Sequence, residues 1–122
     1  MGAASDRLIT IETNPSRVRV VFNGRVVADT TRALTLREAG YRPVQYVPRG
    51  DADMSMLERT DHETHCPYKG DATYYTIRAD GQESTNAVWT YEAPIPGVAA
   101  IKNHLAFYAS RVDRIEEIPV DA

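Results

Sequence analysis

The chain has 122 residues, of which 43% are hydrophobic and 25% are charged, and its formal net charge is −3. This length and composition predict a single domain over 1–122, with a compact part at about 8–113 and an acidic C-terminal tail at 114–122. The slight negative charge gives no support for nucleic-acid binding. The one cysteine excludes an intrachain disulfide and, within one chain, a zinc centre built on two or four cysteines.

No apolar run approaches the ~20 residues that a membrane-spanning helix requires. The first residues, MGAASDRL, lack the basic and apolar regions of a secretory signal peptide. Asp6 stands where a myristoylation motif has Ser or Thr. We therefore expect a cytoplasmic protein without a membrane partner.

Apolar alternation predicts strands in the N-terminal half of the chain. The clearest signal is a β-hairpin over residues 17–30, because Asn23-Gly24 suits the two positive-φ positions of a type I′ turn. Weaker strand signals in this half lie at 8–12, 31–40 and 43–48.

The second half is predicted to hold a loop, a hairpin and a helix. Residues 49–59 indicate a turn with at most one helical turn, capped by Asp51 or Asp53. A polar loop over 60–70 follows, and then a hairpin over 73–91 that turns at Asp80-Gly81.

A helix is predicted from 96 to about 112. Apolar residues recur there at i+3 and i+4 spacing, and Pro96 suits the first turn of a helix. The recurring residues are Val98, Ile101, Leu105, Tyr108 and Val112. The expected fold is therefore mainly β, with antiparallel sheets and one C-terminal helix.

The loop TDHETHCPYKG is the segment richest in reactive side chains. Cys66 is a candidate nucleophile or redox thiol, with His62 or His65 as base, because a reactive thiol requires a nearby His, Lys or helix N-terminus. The alternative is a buried and inert Cys66, although its polar surroundings argue against burial.

The same loop contains residue types that bind metals. His62, His65 and Cys66 are of this kind, and His104 could join them from the predicted helix. The H-x-x-H-C spacing does not match a structural zinc motif, and adjacent residues do not easily reach one ion. A catalytic site with three protein ligands and a water is the alternative. We expect no metal and no cofactor.

Lys69-Gly70 resembles an anion-contacting turn, in which Gly lets the backbone come close to a ligand and Lys supplies a charge. A plain turn with a solvated Lys69 is an equal alternative, and no P-loop pattern is present.

Aromatic residues are numerous for a chain of this size. Strand parity predicts that Tyr74 and Tyr75 point to opposite faces, and that Trp89 and Tyr91 share one face. Phe107, off the apolar stripe of the predicted helix, indicates a second apolar face suited to a pocket or a subunit contact.

Four segments together resemble the bacterial family known as domain of unknown function 427. They are LREAGYRPVQYVPRGD, THCPYKGDATYY, VWTYEAPIP and HLAFYASRVD. The resemblance covers the chain from about Arg17 to Val112 and implies a β-tent, or Mss4-like, fold, in which two antiparallel sheets meet at an angle. The family sometimes carries a nucleotidyltransferase-like label, but the triphosphate and metal motifs of that activity are absent from this sequence.

These observations predict a small-ligand pocket, suited to an anionic ligand, built around Cys66-Pro67-Tyr68-Lys69-Gly70. Its predicted lining comprises Tyr68, Lys69, Gly70, Tyr74, Trp89, Tyr91 and His104. The alternative is an enzyme that uses Cys66, with His62 as base. A third interpretation is a structural module in which the aromatic residues form a homodimer contact.

Overall fold

The computed structural model describes residues 8–120 as ten strands and four short 3-10 helices. The strands are β1 (Ile9–Thr13), β2 (Arg17–Phe22), β3 (Arg25–Thr30), β4 (Leu34–Glu38), β5 (Val44–Pro48), β6 (Leu57–Cys66), β7 (Gly70–Ala79), β8 (Gln82–Tyr91), β9 (His104–Phe107) and β10 (Arg114–Ile118). The 3-10 helices are Arg49–Asp51, Met54–Met56, Pro96–Ile101 and Ala109–Arg111.

The strands form two antiparallel sheets. Seven strands follow the order β1-β4-β5-β9-β8-β7-β6, and three follow the order β10-β2-β3. The prediction of a mainly β fold with two antiparallel sheets is confirmed, and β1, β4 and β5 lie at the three weaker strand signals.

Both predicted hairpins are confirmed at their turns. Asn23 and Gly24 connect β2 to β3 with φ of 51° and 74°. Asp80 and Gly81 connect β7 to β8 with φ of 50° and 82°. These positive φ values are those that a type I′ turn requires at its two central residues. In the turn region that follows β5, Asp53 caps Met54–Met56 by accepting a hydrogen bond from the Ser55 backbone N–H at 3.1 Å.

The predicted C-terminal helix is wrong. Pro96–Ile101 is a 3-10 helix, Asn103 follows it with φ of 57°, and His104–Phe107 is strand β9. The helix-like apolar spacing arises because a 3-10 helix and a strand follow one another over these residues. It also arises because β9 lies between β5 and β8, where both faces of a strand are buried. Within 8–120, no helix has the length and apolar character needed to cross a membrane.

The polar loop predicted over 60–70 is also wrong for most of its length. Residues up to Cys66 belong to β6, and only the turn Pro67–Lys69 separates it from β7. This strand reads as a loop because it is the outer strand of the seven-stranded sheet and most of its side chains are exposed.

The predicted acidic tail outside the compact part, at 114–122, is wrong over its first residues. Arg114–Ile118 forms β10 and pairs with β2, with Glu116 opposite Arg19. The Arg19 and Glu116 side chains approach to 3.8 Å. The last two predicted tail residues, 121–122, lie outside the described part of the chain.

Buried apolar residues form two clusters. One includes residues of both sheets: Val18, Val20, Val27, Val47, Ile77, Leu105 and Phe107. The other comprises Leu36, Tyr46, Ala72, Tyr74, Tyr91, Val98, Ile101 and Ala106. Phe107 is only 6% exposed, so it does not provide the exposed subunit contact that the sequence indicates as one of its two possible roles.

Candidate functional site

A cavity of about 370 Å³ lies beside the second apolar cluster, and we call it the tyrosine cavity. Its walls come from β4 to β8, from the connections that follow β4 and β6, and from the residue that follows β9. It is lined by Leu36, Glu38, Tyr41, Arg42, Val44, Tyr46, Cys66, Lys69, Tyr74, Trp89, Tyr91 and Tyr108. Five of the predicted site residues meet here, namely Cys66, Lys69, Tyr74, Trp89 and Tyr91.

Strand parity places the aromatic residues as the sequence predicts. Tyr74 lines the tyrosine cavity, whereas Tyr75 belongs to the other apolar cluster. The Tyr75 hydroxyl accepts a hydrogen bond from Arg49 Nη1 at 2.9 Å. Trp89 lies opposite Tyr74 across β7 and β8, and two residues later Tyr91 enters the same cavity. One side of the hairpin therefore supplies three aromatic rings to one wall.

Two tyrosine hydroxyls of the cavity are poorly supplied with acceptors. Trp89 Nε1 donates to the Tyr46 hydroxyl at 3.3 Å, which leaves the Tyr46 O–H proton without an acceptor among residues 8–120. The Tyr91 hydroxyl has no hydrogen-bond partner within the same part of the chain. Tyr46 is 1% exposed and Tyr91 is 6% exposed as whole residues, but the Tyr91 hydroxyl oxygen itself is accessible to water in the cavity.

The Tyr74 hydroxyl, by contrast, is 2.9 Å from Thr64 Oγ1 and 3.4 Å from the Tyr108 hydroxyl. The ring of Tyr108 packs on Trp89 with a centroid distance of 4.6 Å. The Arg111 guanidinium lies 5.0 Å from the centre of the Tyr108 ring. These contacts hold Tyr108 at the edge of the cavity.

Burial keeps the cavity tyrosines protonated. Desolvation raises the pKa of Tyr46 from 10.0 to about 12, against a smaller lowering by the hydrogen bond from Trp89. Desolvation also raises the pKa of Tyr108 to about 12, with a further contribution from its hydrogen bond to Tyr74, and it raises the pKa of Tyr91. At neutral pH these groups are hydrogen-bond donors rather than phenolates.

A buried ion pair lies at one end of the cavity. Lys69 Nζ is 2.8 Å from Glu38 Oε1, and the two side chains are only 12% and 7% exposed. The same ammonium is 3.8 Å from Cys66 Sγ. The turn brings these groups together, because the Lys69 backbone N–H donates to the Cys66 carbonyl at 3.1 Å. Lys69 is therefore not the solvated side chain of a plain turn.

Tyr68 lies in the turn and Gly70 begins β7 directly after it, and neither residue lines the cavity. Gly70 has φ of 117°, and a Cβ there would stand 3.3 Å from the Ala93 carbonyl oxygen. The Lys69 carbonyl accepts a hydrogen bond from the Ile95 N–H at 2.9 Å. Gly70 thus allows the turn to pack against the segment that follows β8, which is a structural role.

The three histidines lie outside the cavity lining. His62 is exposed, contacts the Tyr74 ring at a centroid distance of 4.5 Å, and is four strand residues, roughly 13 Å, from Cys66. His65 Nδ1 pairs with Asp71 at 2.7 Å, and His104 Nδ1 with the Lys102 carbonyl at 2.9 Å. The structure therefore does not bring His62 or His65 to Cys66 as a base.

Sequence reasoning missed the other seven lining residues, among them the polar Glu38, Arg42, Tyr46 and Tyr108. Glu38 ends an alternating strand as its last and only acidic residue, which is a weak signal. Its pairing with Lys69 joins positions 31 residues apart, and no local pattern reports such a contact.

No three His, Cys, Asp or Glu side chains within 8–120 are grouped closely enough to hold a metal ion. A family model described as domain of unknown function (DUF427) matches residues 10–118, which is most of the chain. The chain matches no curated protein.

Proposed function

The chain belongs to the DUF427 family, and we propose that it is a binding protein for a small organic carboxylate, held in the tyrosine cavity. The observation that carries this proposal is that two tyrosines of the cavity wall, Tyr46 and Tyr91, have hydroxyl protons without an acceptor among residues 8–120. A ligand with acceptor oxygens would supply an acceptor for both donors.

The charges that line the cavity favour a monoanion. Glu38 contributes −1, Lys69 +1 and Arg42 +1, so the lining carries a net charge of +1. Lys69 is compensated by Glu38, whereas Arg42 forms no ion pair with any residue of 8–120. Arg42 is exposed, so it lies where an entering carboxylate would meet it first.

The size and walls of the cavity favour a small ligand with a planar apolar part. Its volume of about 370 Å³ falls at the lower end of the range of roughly 300–1,000 Å³ that is usual for ligand pockets. The rings of Trp89 and Tyr91 provide apolar area on the wall, and the tyrosine hydroxyls provide the polar contacts.

Benzoate is a suitable first probe, with benzamide as its neutral counterpart. Trp89 is the only tryptophan, so its fluorescence and its single indole N–H resonance report directly on the cavity. We expect benzoate to shift the indole resonance saturably and benzamide to bind at least about tenfold more weakly. Tyr91→Phe should weaken the affinity for benzoate by about tenfold, because the variant lacks one hydrogen-bond donor to the charged carboxylate.

Tyr75→Phe is the matched control, because that hydroxyl lies on the opposite face of the sheet and pairs with Arg49. It should leave the benzoate affinity unchanged. Equal binding of benzoate and benzamide, or equal effects of the two Tyr→Phe variants, would contradict a carboxylate site that uses the Tyr91 hydroxyl.

An enzyme that uses Cys66 is the second candidate, and the contact of Cys66 Sγ with Lys69 Nζ at 3.8 Å favours it. The thiol lines the cavity, so a bound ligand could lie against it. If this candidate is correct, Cys66 should react with iodoacetamide at pH 7 faster than the thiol of a short unstructured peptide does. A reaction as slow as that of the peptide would count against it.

The β-tent arrangement implied by the family resemblance belongs to the same proposal. It is supported by the two antiparallel sheets and by a second cavity whose walls come from both of them. A cytoplasmic location and a homodimer remain predictions.

A further inference from the structure

A second cavity, of about 450 Å³, lies between the two sheets, and we call it the inter-sheet cavity. The three-stranded sheet contributes Val18, Val20 and Ile115 to its walls. The seven-stranded sheet contributes Val47 and Phe107, which are 0% and 6% exposed. The lining is therefore mainly hydrocarbon and aromatic, in contrast to the hydroxyl-rich tyrosine cavity.

The two cavities adjoin each other. Both are lined by the same four residues, Arg42, Val44, Trp89 and Tyr108. The rings of Trp89 and Tyr108, at 4.6 Å between centroids and 44° between planes, form part of the wall that the cavities share. A ligand that passes this pair of rings would enter both cavities.

The polar groups at the rim of the inter-sheet cavity are largely engaged already. Gln45 Oε1 and Glu117 Oε1 each accept a hydrogen bond from Asn14 Nδ2 at 3.0 Å. Gln45 Oε1 also accepts from Thr35 Oγ1 at 2.8 Å. Only Arg42, shared with the tyrosine cavity, is left as a positively charged group without an ion-pair partner in the described part of the chain. The inter-sheet cavity therefore offers contacts to hydrocarbon rather than to a second polar group.

From this arrangement we infer that the two cavities are compartments of one site, and that the ligand is an amphipathic monocarboxylate. Its carboxylate lies among the tyrosine hydroxyls and Arg42, and its hydrocarbon chain lies between the sheets. This inference rests on the proposed function and adds the class of ligand to it. It also gives a role to the shared ring pair, which separates the polar end of the ligand from the apolar end.

A chain-length series of straight monocarboxylates tests the inference. Acetate, butanoate, hexanoate, octanoate and decanoate would be titrated below their micelle-forming concentrations, and Trp89 fluorescence would be the readout. Burial of each added methylene should tighten binding by about threefold to fourfold until the inter-sheet cavity is full. Octanamide, the neutral counterpart of octanoate, should bind at least about tenfold more weakly than octanoate.

Two variants test whether the hydrocarbon chain of the ligand lies in the inter-sheet cavity. Ala109 is exposed and lines only this cavity, so Ala109→Phe should be tolerated by the fold and should obstruct it. Ile115→Phe adds bulk from the other sheet and serves if the first variant does not fold. Either variant should flatten the dependence on chain length beyond butanoate while leaving butanoate affinity within about twofold of the unmodified protein.

The outcomes separate the two proposals. If short carboxylates bind and affinity does not rise with chain length, the inference is overturned and the carboxylate site stands. If affinity rises but neither variant flattens it, the hydrocarbon chain lies elsewhere and the inference is again overturned. If neither the series nor benzoate binds, the proposed function fails, and the inference fails with it.

Discussion

Replacement of Glu38 by Gln would remove the negative partner of a buried ion pair. Lys69 Nζ lies 2.8 Å from Glu38 Oε1, and the Lys69 side chain is only 12% exposed. At an effective dielectric constant of ~20, two unit charges at that distance attract by about 6 kcal/mol. The desolvation of both groups offsets much of that attraction in the intact pair, but in Glu38→Gln the cost of burying Lys69 remains.

We expect Glu38→Gln to lower the free energy of unfolding by about 3 kcal/mol. This is the lower end of the range for removing one member of a buried pair, because the Gln oxygen can still accept a hydrogen bond from Lys69. The double variant Glu38→Gln, Lys69→Met should lose only about 1 kcal/mol, because it no longer buries an unpaired charge. Urea unfolding followed by Trp89 fluorescence would measure both values, and the double variant should be the more stable by about 2 kcal/mol.

Glu58→Gln is the matched control. Glu58 pairs with Arg78 at the same 2.8 Å, but these side chains are 60% and 55% exposed. Solvent screens such a pair, so the variant should lose no more than about 1 kcal/mol. The reasoning would be refuted if the double variant were as unstable as Glu38→Gln, or if the control lost as much as Glu38→Gln.

Three further expectations follow from the same region. Burial raises the pKa of Tyr46 from 10.0 to about 12. The contribution of Tyr46 to the free energy of unfolding is therefore complete below about pH 10 and is lost as the pH rises towards about 12. Urea unfolding of Tyr46→Phe should show a smaller loss of stability at alkaline pH. Gly70→Ala should lower the free energy of unfolding by about 1–3 kcal/mol, because φ at this position is 117° and the new Cβ would approach the Ala93 carbonyl oxygen to 3.3 Å. Bound benzoate should slow alkylation of Cys66 by iodoacetamide, because the thiol lines the same cavity.

Each of these has its own contrary result. An alkaline decline identical in Tyr46→Phe would mean that other groups cause it. Gly97 is exposed, and a Cβ added there would meet no atom within 4 Å. Gly97→Ala should therefore change the free energy of unfolding by about 0.5 kcal/mol or less. An equal loss of stability in Gly70→Ala and Gly97→Ala would contradict the steric argument. Unchanged alkylation of Cys66 at saturating benzoate would place the probe elsewhere.

The amino-acid sequence is sufficient to predict the strands whose side chains alternate between two faces with different surroundings. Hairpins β2–β3 and β7–β8 alternate clearly and turn at Asn23-Gly24 and Asp80-Gly81. Strand parity also predicts correctly that Tyr74 and Tyr75 separate and that Trp89 and Tyr91 share a face. Alternation succeeds there because the two faces of each strand differ in their surroundings and the turns have a specific backbone requirement.

Prediction fails where burial does not follow the usual pattern. Strand β6 is exposed along both faces, so it reads as a loop, and β9 is buried along both faces, so it reads as part of a helix. Strand β10 is acidic because it lies beside the arginines of β2 and not because it is loose. In all three, the neighbouring strand determines the structure, and a neighbour distant in sequence leaves no local signal.

The turn between β6 and β7 shows how a specific sequence string can reflect packing as much as ligand binding. Gly70 lets the backbone approach Ala93, and the Ile95 N–H donates to the Lys69 carbonyl at 2.9 Å. These contacts fix the backbone from which the Lys69 side chain reaches Glu38 and Cys66. The segment Cys66 to Gly70 therefore positions the Lys69–Glu38 end of the cavity. The tyrosine donors that we assign to the ligand come from β5 and β8, and Arg42 comes from the connection between β4 and β5.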